Sequence, residues 1–200
     1  WLGFFHKIHM ADTYIVLDNV QYRRRYFQNR NRIRTARGSQ WLTVPVTKGD
    51  RDALLIHDVT IDRSHRLWQK KNLDSIYYAY CHAPYFDKYW NAFMSVYERP
   101  YERLIDLNMA LLHVAFDALG LHPNVMYASD LGVRGKKSEL ILNLCKHVHA
   151  DTYVSGISGE EYLDMSLSAS RKPAEDVAGQ IALLGRQVDR LDLLIEVLLG

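Results

Sequence analysis

The segment from Asn124 to Gly156 decides the fold, because it alternates between two kinds of pattern. It reads "NVMYASDLG" (124–132), then "VRGKKSELILNLCKHVHA" (133–150), then "DTYVSG" (151–156). The first and last pieces are short apolar and aromatic runs, which favour strands. The middle piece has one apolar face, which predicts a helix packed on a core; its members are Leu140, Ile141, Leu144, Cys145 and Val148. A strand, a helix and a strand in about 30 residues predict a βαβ unit, and therefore an α/β fold with a mainly parallel sheet and flanking helices.

The preceding sequence supplies further elements of such a fold. "WLGFFHKIHMAD" (1–12) predicts a short helix, and "TYIVLDNV" (13–20) predicts a buried strand that ends in Asp18. We also expect strands at "WLTVPV" (41–46) and "ALLIHDVTID" (53–62). Residues 66–119 have a helical pattern that Pro84 should interrupt. Within them an apolar stripe predicts a helix facing the core: Leu104, Leu107, Leu111, Ala115 and Leu119.

The chain of 200 residues suits one sizeable domain. We expect that α/β domain at 1–165, with a helical subregion at about 66–119, and a C-terminal linker and amphipathic helix at 166–200. The helix is predicted from apolar residues in alternating steps of four and three: Val177, Ile181, Leu184, Val188, Leu191, Ile195 and Leu198. It could dock on its own domain or mediate self-association, and Gly179 and Gly185 favour docking because they weaken an isolated helix.

Charge and cysteine content narrow the class of protein. The formal net charge is +2, so any function that depends on positive charge must be local. Cys81 and Cys145 lie far apart without a Cys-x-x-Cys spacing, so neither a disulfide framework nor a metal knuckle is predicted. No apolar run approaches the roughly 20 residues of a membrane span, and we expect a cytoplasmic protein. The chain begins at Trp1 instead of Met, so we expect residues upstream to be missing.

A basic window is the strongest candidate for a binding site. The stretch "DNVQYRRRYFQNRNRIRT" (18–35) lies mostly within residues 19–49, which include seven arginines and no Asp or Glu. Guanidinium groups donate planar pairs of hydrogen bonds that match phosphate and carboxylate. Amide side chains between them favour a polar small ligand. The candidate substrate-binding residues are Gln21, Gln28, Asn29, Arg30, Asn31 and Arg32.

Two other interpretations of this window stay open. The arginines could form a solvated basic surface. They could also bind nucleic acid, with Tyr22, Tyr26 and Phe27 stacking on bases, although the low overall charge makes a long backbone-tracking groove a poor match.

A second candidate anion site precedes the helix of the βαβ unit. "SDLGVRGKKSE" (129–139) brings Lys136 and Lys137 next to a helix N-terminus, where Ser138 is a candidate cap. The spacing of a Walker A loop is absent. Ser155 and Gly156 follow the next strand, at the edge where α/β sheets bind ligands. No cofactor motif is evident, and a divalent metal at Asp18 stays open.

Taken together, several of these segments resemble the WbqC-like family. They are "WLGFFHKI", "DNVQYRRRYFQNRNRIRT", "QWLTVPV", "APYF" and "SELILNLCKHVHADTYVSGISGEEYLD", in matching order over about 1–164. The Gln-Asn-Arg-Asn-Arg block is the most specific. Members usually have a preceding strand and a Gln-Pro-x-Tyr-x-Pro segment, and they differ from this chain after Asp164. We therefore expect a chain truncated at its N-terminus and divergent at its C-terminus.

The resemblance implies a pathway more readily than a reaction. The family is associated with bacterial O-antigen and other surface-polysaccharide biosynthesis, and its architecture is similar to the nucleotidylyltransferase-like (Rossmann-like) fold with a helical insertion. It implies an enzyme that binds a nucleotide-activated sugar or similar anionic intermediate, a transferase of nucleotidyl or acyl type. Arg30 and Arg32 would bind one anionic group, Lys137 and Ser138 a second, and Asp18 would orient a substrate hydroxyl or a metal. A non-catalytic scaffold of the same pathway and an RNA-binding protein are the alternatives.

Overall fold

The computed structural model describes residues 2–24, 26–47, 54–155 and 180–184. These residues form two compact units, one made of 2–19, 122–155 and 180–184, and the other made of 20–24, 26–47 and 54–121. We call the first the sheet unit and the second the hairpin unit. The elements in chain order are α1 Leu2–His9, β1 Thr13–Val16, β2 Arg30–Thr35, β3 Gly38–Thr43, α2 Trp68–Tyr80, α3 Phe86–Glu98, α4 Leu104–Leu119, β4 Asn124–Tyr127, α5 Ser138–His147, β5 Thr152–Val154 and β6 Gln180–Leu184.

The sheet unit contains a four-stranded parallel sheet in the order β4-β1-β6-β5. The predicted βαβ unit is confirmed, since β4, α5 and β5 follow one another and both strands belong to this sheet. Strand β1 is paired on both sides, and Tyr14, Ile15 and Val16 are completely buried. A strand covered on both faces needs a continuous apolar run, which is what "YIV" supplies.

The predicted C-terminal helix is wrong at residues 180–184, which form strand β6 between β1 and β5. Heptad spacing and a short strand cannot be separated by periodicity when the apolar run is only four residues long, here 181–184. Gly179 and Gly185 flank this strand, and glycines at both ends of a short apolar segment are consistent with a strand. The rest of the predicted helix and the predicted boundary at 165 lie outside the described residues.

The hairpin unit contains the antiparallel pair β2–β3 and the helices α2, α3 and α4. The predicted break at Pro84 is confirmed, because it lies between the end of α2 and the start of α3. Four residues of the predicted stripe on α4 are buried, whereas the fifth, Leu119, is 37% exposed at the helix end. The apolar face of α4 therefore belongs to the core of this unit.

The strand predicted at 53–62 is wrong where this segment is described. Residues Ile56–Asp58 form a short 3-10 helix, and the flanking residues make only isolated bridges. Leu55, Thr60 and Ile61 pair with three separate segments of the chain, so no continuous ladder forms. Strand β3 also starts earlier than predicted and ends before Pro45, which has no N–H to donate.

No helix in the described part of the chain is both long enough and apolar enough to cross a membrane.

Gly120 and Gly135 both have a positive φ, but they differ in the space around them. Gly120 and Gly135 have φ values of 64° and 149°, which strain any other residue. A Cβ at Gly120 would meet nothing within 4 Å, whereas one at Gly135 would lie 2.8 Å from the backbone nitrogen of Leu140. We expect Gly120→Ala to lower the free energy of unfolding by about 1 kcal/mol, and Gly135→Ala to lower it more because α5 must shift. Urea denaturation of both variants measures the difference, and equal losses would contradict the prediction.

Candidate anion-binding site

The pairing of β2 with β3 sorts the arginine window into two faces. Side chains alternate along a strand, and in β2 Asn31 and Ile33 are buried whereas Arg32 and Arg34 are exposed. Arg30, two positions before Arg32, belongs to the same face. The three arginines of β2 therefore share the solvent side of the hairpin, and its other side packs into the unit.

Trp41 completes this solvent face. It lies directly opposite Arg32 in the register and is 37% exposed. The guanidinium carbons of Arg30 and Arg32 lie 4.2 and 4.5 Å from the centre of the indole ring, which is within stacking distance. The ring of Phe27 lies 5.6 Å from that of Trp41. We call Arg30, Arg32, Arg34 and Trp41 the arginine–tryptophan face.

The arginine–tryptophan face concentrates positive charge on one side of the hairpin. Within the described residues, the ion pairs do not connect Arg24, Arg32 or Arg34 to any carboxylate. Tyr22 is buried beside them, and its pKa is raised by burial although the charges of Arg24 and Arg30 act to lower it. Arg24 thus contributes to the same positive region, which would be stabilised by an anion.

The amides of the window hold the main chain that carries these arginines. The Arg23 N–H donates to Gln28 Oε1 at 2.7 Å, and Asn108 Nδ2 donates to the Gln28 carbonyl at 3.0 Å. Asn29 Nδ2 donates to the Val44 carbonyl at 2.9 Å, and the Val44 N–H returns a bond to the Asn29 carbonyl at 2.7 Å. These contacts fix the chain on the N-terminal side of Arg30.

Asn31 and Gln21 have different environments. Asn31 is completely buried, and its Oδ1 accepts a bond from the Arg32 N–H at 2.7 Å. Its Nδ2 has no hydrogen-bond partner among the residues that the structure describes. Gln21 is exposed and makes a backbone bridge with Leu55. Direct contact of either side chain with a substrate stays a prediction.

Helix α2 supports the hairpin from the side. The Tyr80 hydroxyl accepts a bond from the Arg34 N–H at 3.0 Å, and Gln40 Nε2 donates to Ser75 Oγ at 2.9 Å. Asn72 Nδ2 also donates to the carbonyl of Thr43 at 3.3 Å. The position of the arginine–tryptophan face therefore depends on a helix some 40 residues later in the chain.

The remaining predicted site residues that the structure describes belong to the sheet unit. Asp18 is only 2% exposed, and both of its carboxylate oxygens are hydrogen-bonded by Ser129. Oδ1 accepts from the Ser129 N–H at 2.9 Å and Oδ2 accepts from its hydroxyl at 2.6 Å. These bonds join the chain after β1 to the chain after β4. This geometry gives Asp18 a structural contact, and its catalytic role stays a prediction.

The loop before α5 differs in one detail from the prediction. The helix begins at Ser138 as expected, but the N-cap position is Lys137, without a side-chain capping bond. Lys136 and Lys137 are exposed, Ser138 is buried and Ser155 is half-buried. Gly156 lies outside the described residues. Anion binding by this loop stays a prediction.

No group of three or more His, Cys, Asp or Glu side chains in the described ranges could hold a metal ion.

Sequence reasoning missed three contributors to the arginine–tryptophan face and its support. The alternation in "RNRIRT" (30–35) could have predicted β2, and the pairing of Thr35 with Gly38 then places Trp41 opposite Arg32. Asn108 and Tyr80 carry no such local signal, because their contacts with the window cross 80 and 46 residues of sequence.

A double-mutant cycle tests the contact between Asp18 and Ser129. Because a buried carboxylate loses a charge-assisted bond, we expect Asp18→Asn and Ser129→Ala to be coupled by about 1 to 3 kcal/mol in the free energy of unfolding. The exposed ion pair between Lys70 and Asp74 is the control and should show little coupling. Additive effects at Asp18 and Ser129 would show that the bond does not stabilise the fold.

Partial burial predicts a thiol of low reactivity at Cys145. Desolvation raises its pKa to about 11, above the ordinary 9.0, so the thiol is protonated at pH 8. We expect slow alkylation by iodoacetamide in the folded Cys81→Ser variant and fast alkylation in urea. Because the folded pKa is the higher one, this group's contribution to stability is complete below pH 9.0 and is lost as the pH rises towards 11. Equal labelling rates in the folded and unfolded states would contradict the prediction.

Comparisons with known proteins place most of the chain in one family. The model of the "WbqC-like protein family" matches residues 1–171. "Uncharacterized protein Rv1507c" of Mycobacterium tuberculosis (strain ATCC 25618 / H37Rv) is 33% identical over 165 residues, covering 82% of this chain and 71% of that protein. No solved structure matches significantly. The family match covers well over half of the sequence, so the chain belongs to the WbqC-like protein family.

Proposed function

We propose that this WbqC-like protein takes part in surface-polysaccharide biosynthesis, where it binds a nucleotide-activated sugar or a similar anionic intermediate. The arginine–tryptophan face is the proposed binding surface. The pathway comes from the family resemblance, and the ligand class comes from the chemistry of the face.

One observation supports the ligand class above all others. Two guanidinium groups lie against one exposed indole ring, and Arg34 shares their side of the hairpin. Stacking restricts a guanidinium while leaving its N–H edge available for a phosphate oxygen. A solvated basic surface does not need this arrangement, since free arginines gain more entropy by moving independently.

Group transfer is the reaction class that we propose for the bound intermediate, of nucleotidyl or acyl type. A nucleotidylyltransferase-like arrangement of the sheet unit is part of the proposal, supported by its parallel strands β4, β1, β6 and β5. The scaffold alternative requires a C-terminal helix that docks a partner. It is weakened because residues 180–184 of that predicted helix form a strand. Lys136, Lys137 and Ser138 form a second proposed anion site, which is to be tested separately.

Calorimetric titration with nucleotides and nucleotide sugars tests the proposal. Because a guanidinium group donates charge-assisted hydrogen bonds to a phosphate, we expect Arg32→Ala to raise the Kd for the best ligand about tenfold. Arg37→Ala is the matched control, since it removes the same charge from the hairpin turn beside the face and should leave the Kd nearly unchanged.

Two outcomes would contradict this proposal. Absence of binding across the whole panel would remove the anionic ligand. Tight binding of single-stranded RNA with a steep salt dependence, together with weak binding of nucleotides, would favour the RNA-binding alternative instead.

A further inference from the structure

Helix α2 carries an exposed apolar surface that the proposed function does not use. The four most exposed large apolar side chains among the described residues all lie on this helix or in the segments that flank it. They are Leu67 at 61%, Tyr77 at 44%, Tyr78 at 80% and Tyr85 at 63% exposed. Single exposed apolar residues are ordinary on a protein surface, but four around one helix are the pattern of a contact surface.

Helical spacing places Leu67 and Tyr78 on one stripe. The Lys71 N–H donates to the Leu67 carbonyl at 3.0 Å, so the first helical turn begins at Leu67. Steps of four, three and four residues then continue the stripe through Lys71, Asp74 and Tyr78. Ile76 is completely buried on the opposite side of the helix. The stripe therefore runs along the solvent side of α2, with an apolar side chain near each end.

Basic side chains accompany this stripe. Arg63 and Arg66, in the turn before α2, are exposed, and so is Lys71. Among the described residues, no ion pair connects these three side chains to a carboxylate. We call Arg63, Arg66, Leu67, Lys71 and Tyr78 the α2 surface.

The carboxylates near the α2 surface have partners of their own. Lys70 Nζ lies 2.6 Å from Asp74 Oδ2, so the acidic residue within the stripe is paired with a cation. Asp62 Oδ1 accepts a bond from the Ser64 N–H at 2.9 Å. The α2 surface therefore combines a local positive charge with exposed apolar side chains, and its charge attracts anions.

We infer that the α2 surface docks this protein on the face of an anionic lipid membrane. Arg66 and Lys71 contact lipid phosphates, Leu67 enters the acyl boundary, and Tyr78 lies at the level of the headgroups. A second copy of the chain fits this surface less well, because a two-fold contact would bring together the basic residues of both copies. Nucleic acid would use the charge of the surface but not Leu67.

Flotation of the complete chain with lipid vesicles tests the inference. Vesicles of equal parts of phosphatidylcholine and phosphatidylglycerol should bind the protein, and vesicles of phosphatidylcholine alone should bind it much more weakly. Arg66→Gln and Lys71→Gln should each lower the partition coefficient about fivefold, because each removes one positive charge from the surface. Lys146→Gln is the matched control, since it removes an exposed charge from α5 in the sheet unit and should leave the coefficient unchanged.

Leu67→Ser separates membrane docking from attraction by charge alone. The variant retains every basic residue, and serine is a favourable residue at the N-cap position that Leu67 occupies. We therefore expect α2 to remain folded, which thermal unfolding checks. The partition coefficient should fall about tenfold, because an apolar side chain is lost from the acyl boundary.

Four outcomes would overturn the inference. The first two are absence of binding to the mixed vesicles and an unchanged partition coefficient for Leu67→Ser. The third is a loss with Arg32→Gln as large as the loss with Lys71→Gln, which would assign vesicle binding to the arginine–tryptophan face. The fourth is tighter binding of single-stranded RNA than of the mixed vesicles, weakened by Lys71→Gln but not by Leu67→Ser, which would make nucleic acid the partner of the α2 surface.

Discussion

The antiparallel register of β2 and β3 is the constraint on which the candidate site depends. Pairing of Thr35 with Gly38 fixes every other pair, and it brings Arg32 opposite Trp41. A slip of one residue would turn Asn31 and Ile33 towards solvent and bury the arginines, at a large cost in free energy. The pairing of β2 with β3 that folds the hairpin therefore also forms the arginine–tryptophan face.

The side-chain amides of Gln28 and Asn29 restrict the backbone that leads into β2. The sequence predicts that Gln28 and Asn29 bind a ligand, because they lie among arginines. In the structure Gln28 Oε1 accepts from the Arg23 N–H, and Asn29 Nδ2 donates to the Val44 carbonyl. An arginine side chain has many conformations, and its use in recognition depends on how many of them are removed before binding. Trp41 restricts the guanidinium groups, and the amides restrict the backbone below them.

The fold was predictable where local pattern and tertiary environment agree. The βαβ unit and the helices around Pro84 have clear periodicity, and the structure confirms them. The segments at 53–62 and 180–184 were mispredicted because short apolar runs fit more than one element, and their pairing partners decide between them. For the candidate site, the arginines were evident from the sequence. The exposed face that the arginines share can be recognised only when residues 30–35 are known to form β2. The supporting contacts from Asn108 and Tyr80 can be recognised only from the tertiary structure.

The hairpin has a consequence for how such a protein can evolve. Successive residues of β2 have different environments, since Asn31 and Ile33 are buried whereas Arg32 and Arg34 are exposed. Substitutions at the exposed positions can therefore change the surface chemistry of the hairpin with little effect on folding. A small sheet of this kind lets its surface chemistry diverge in steps of two residues while its core stays unchanged.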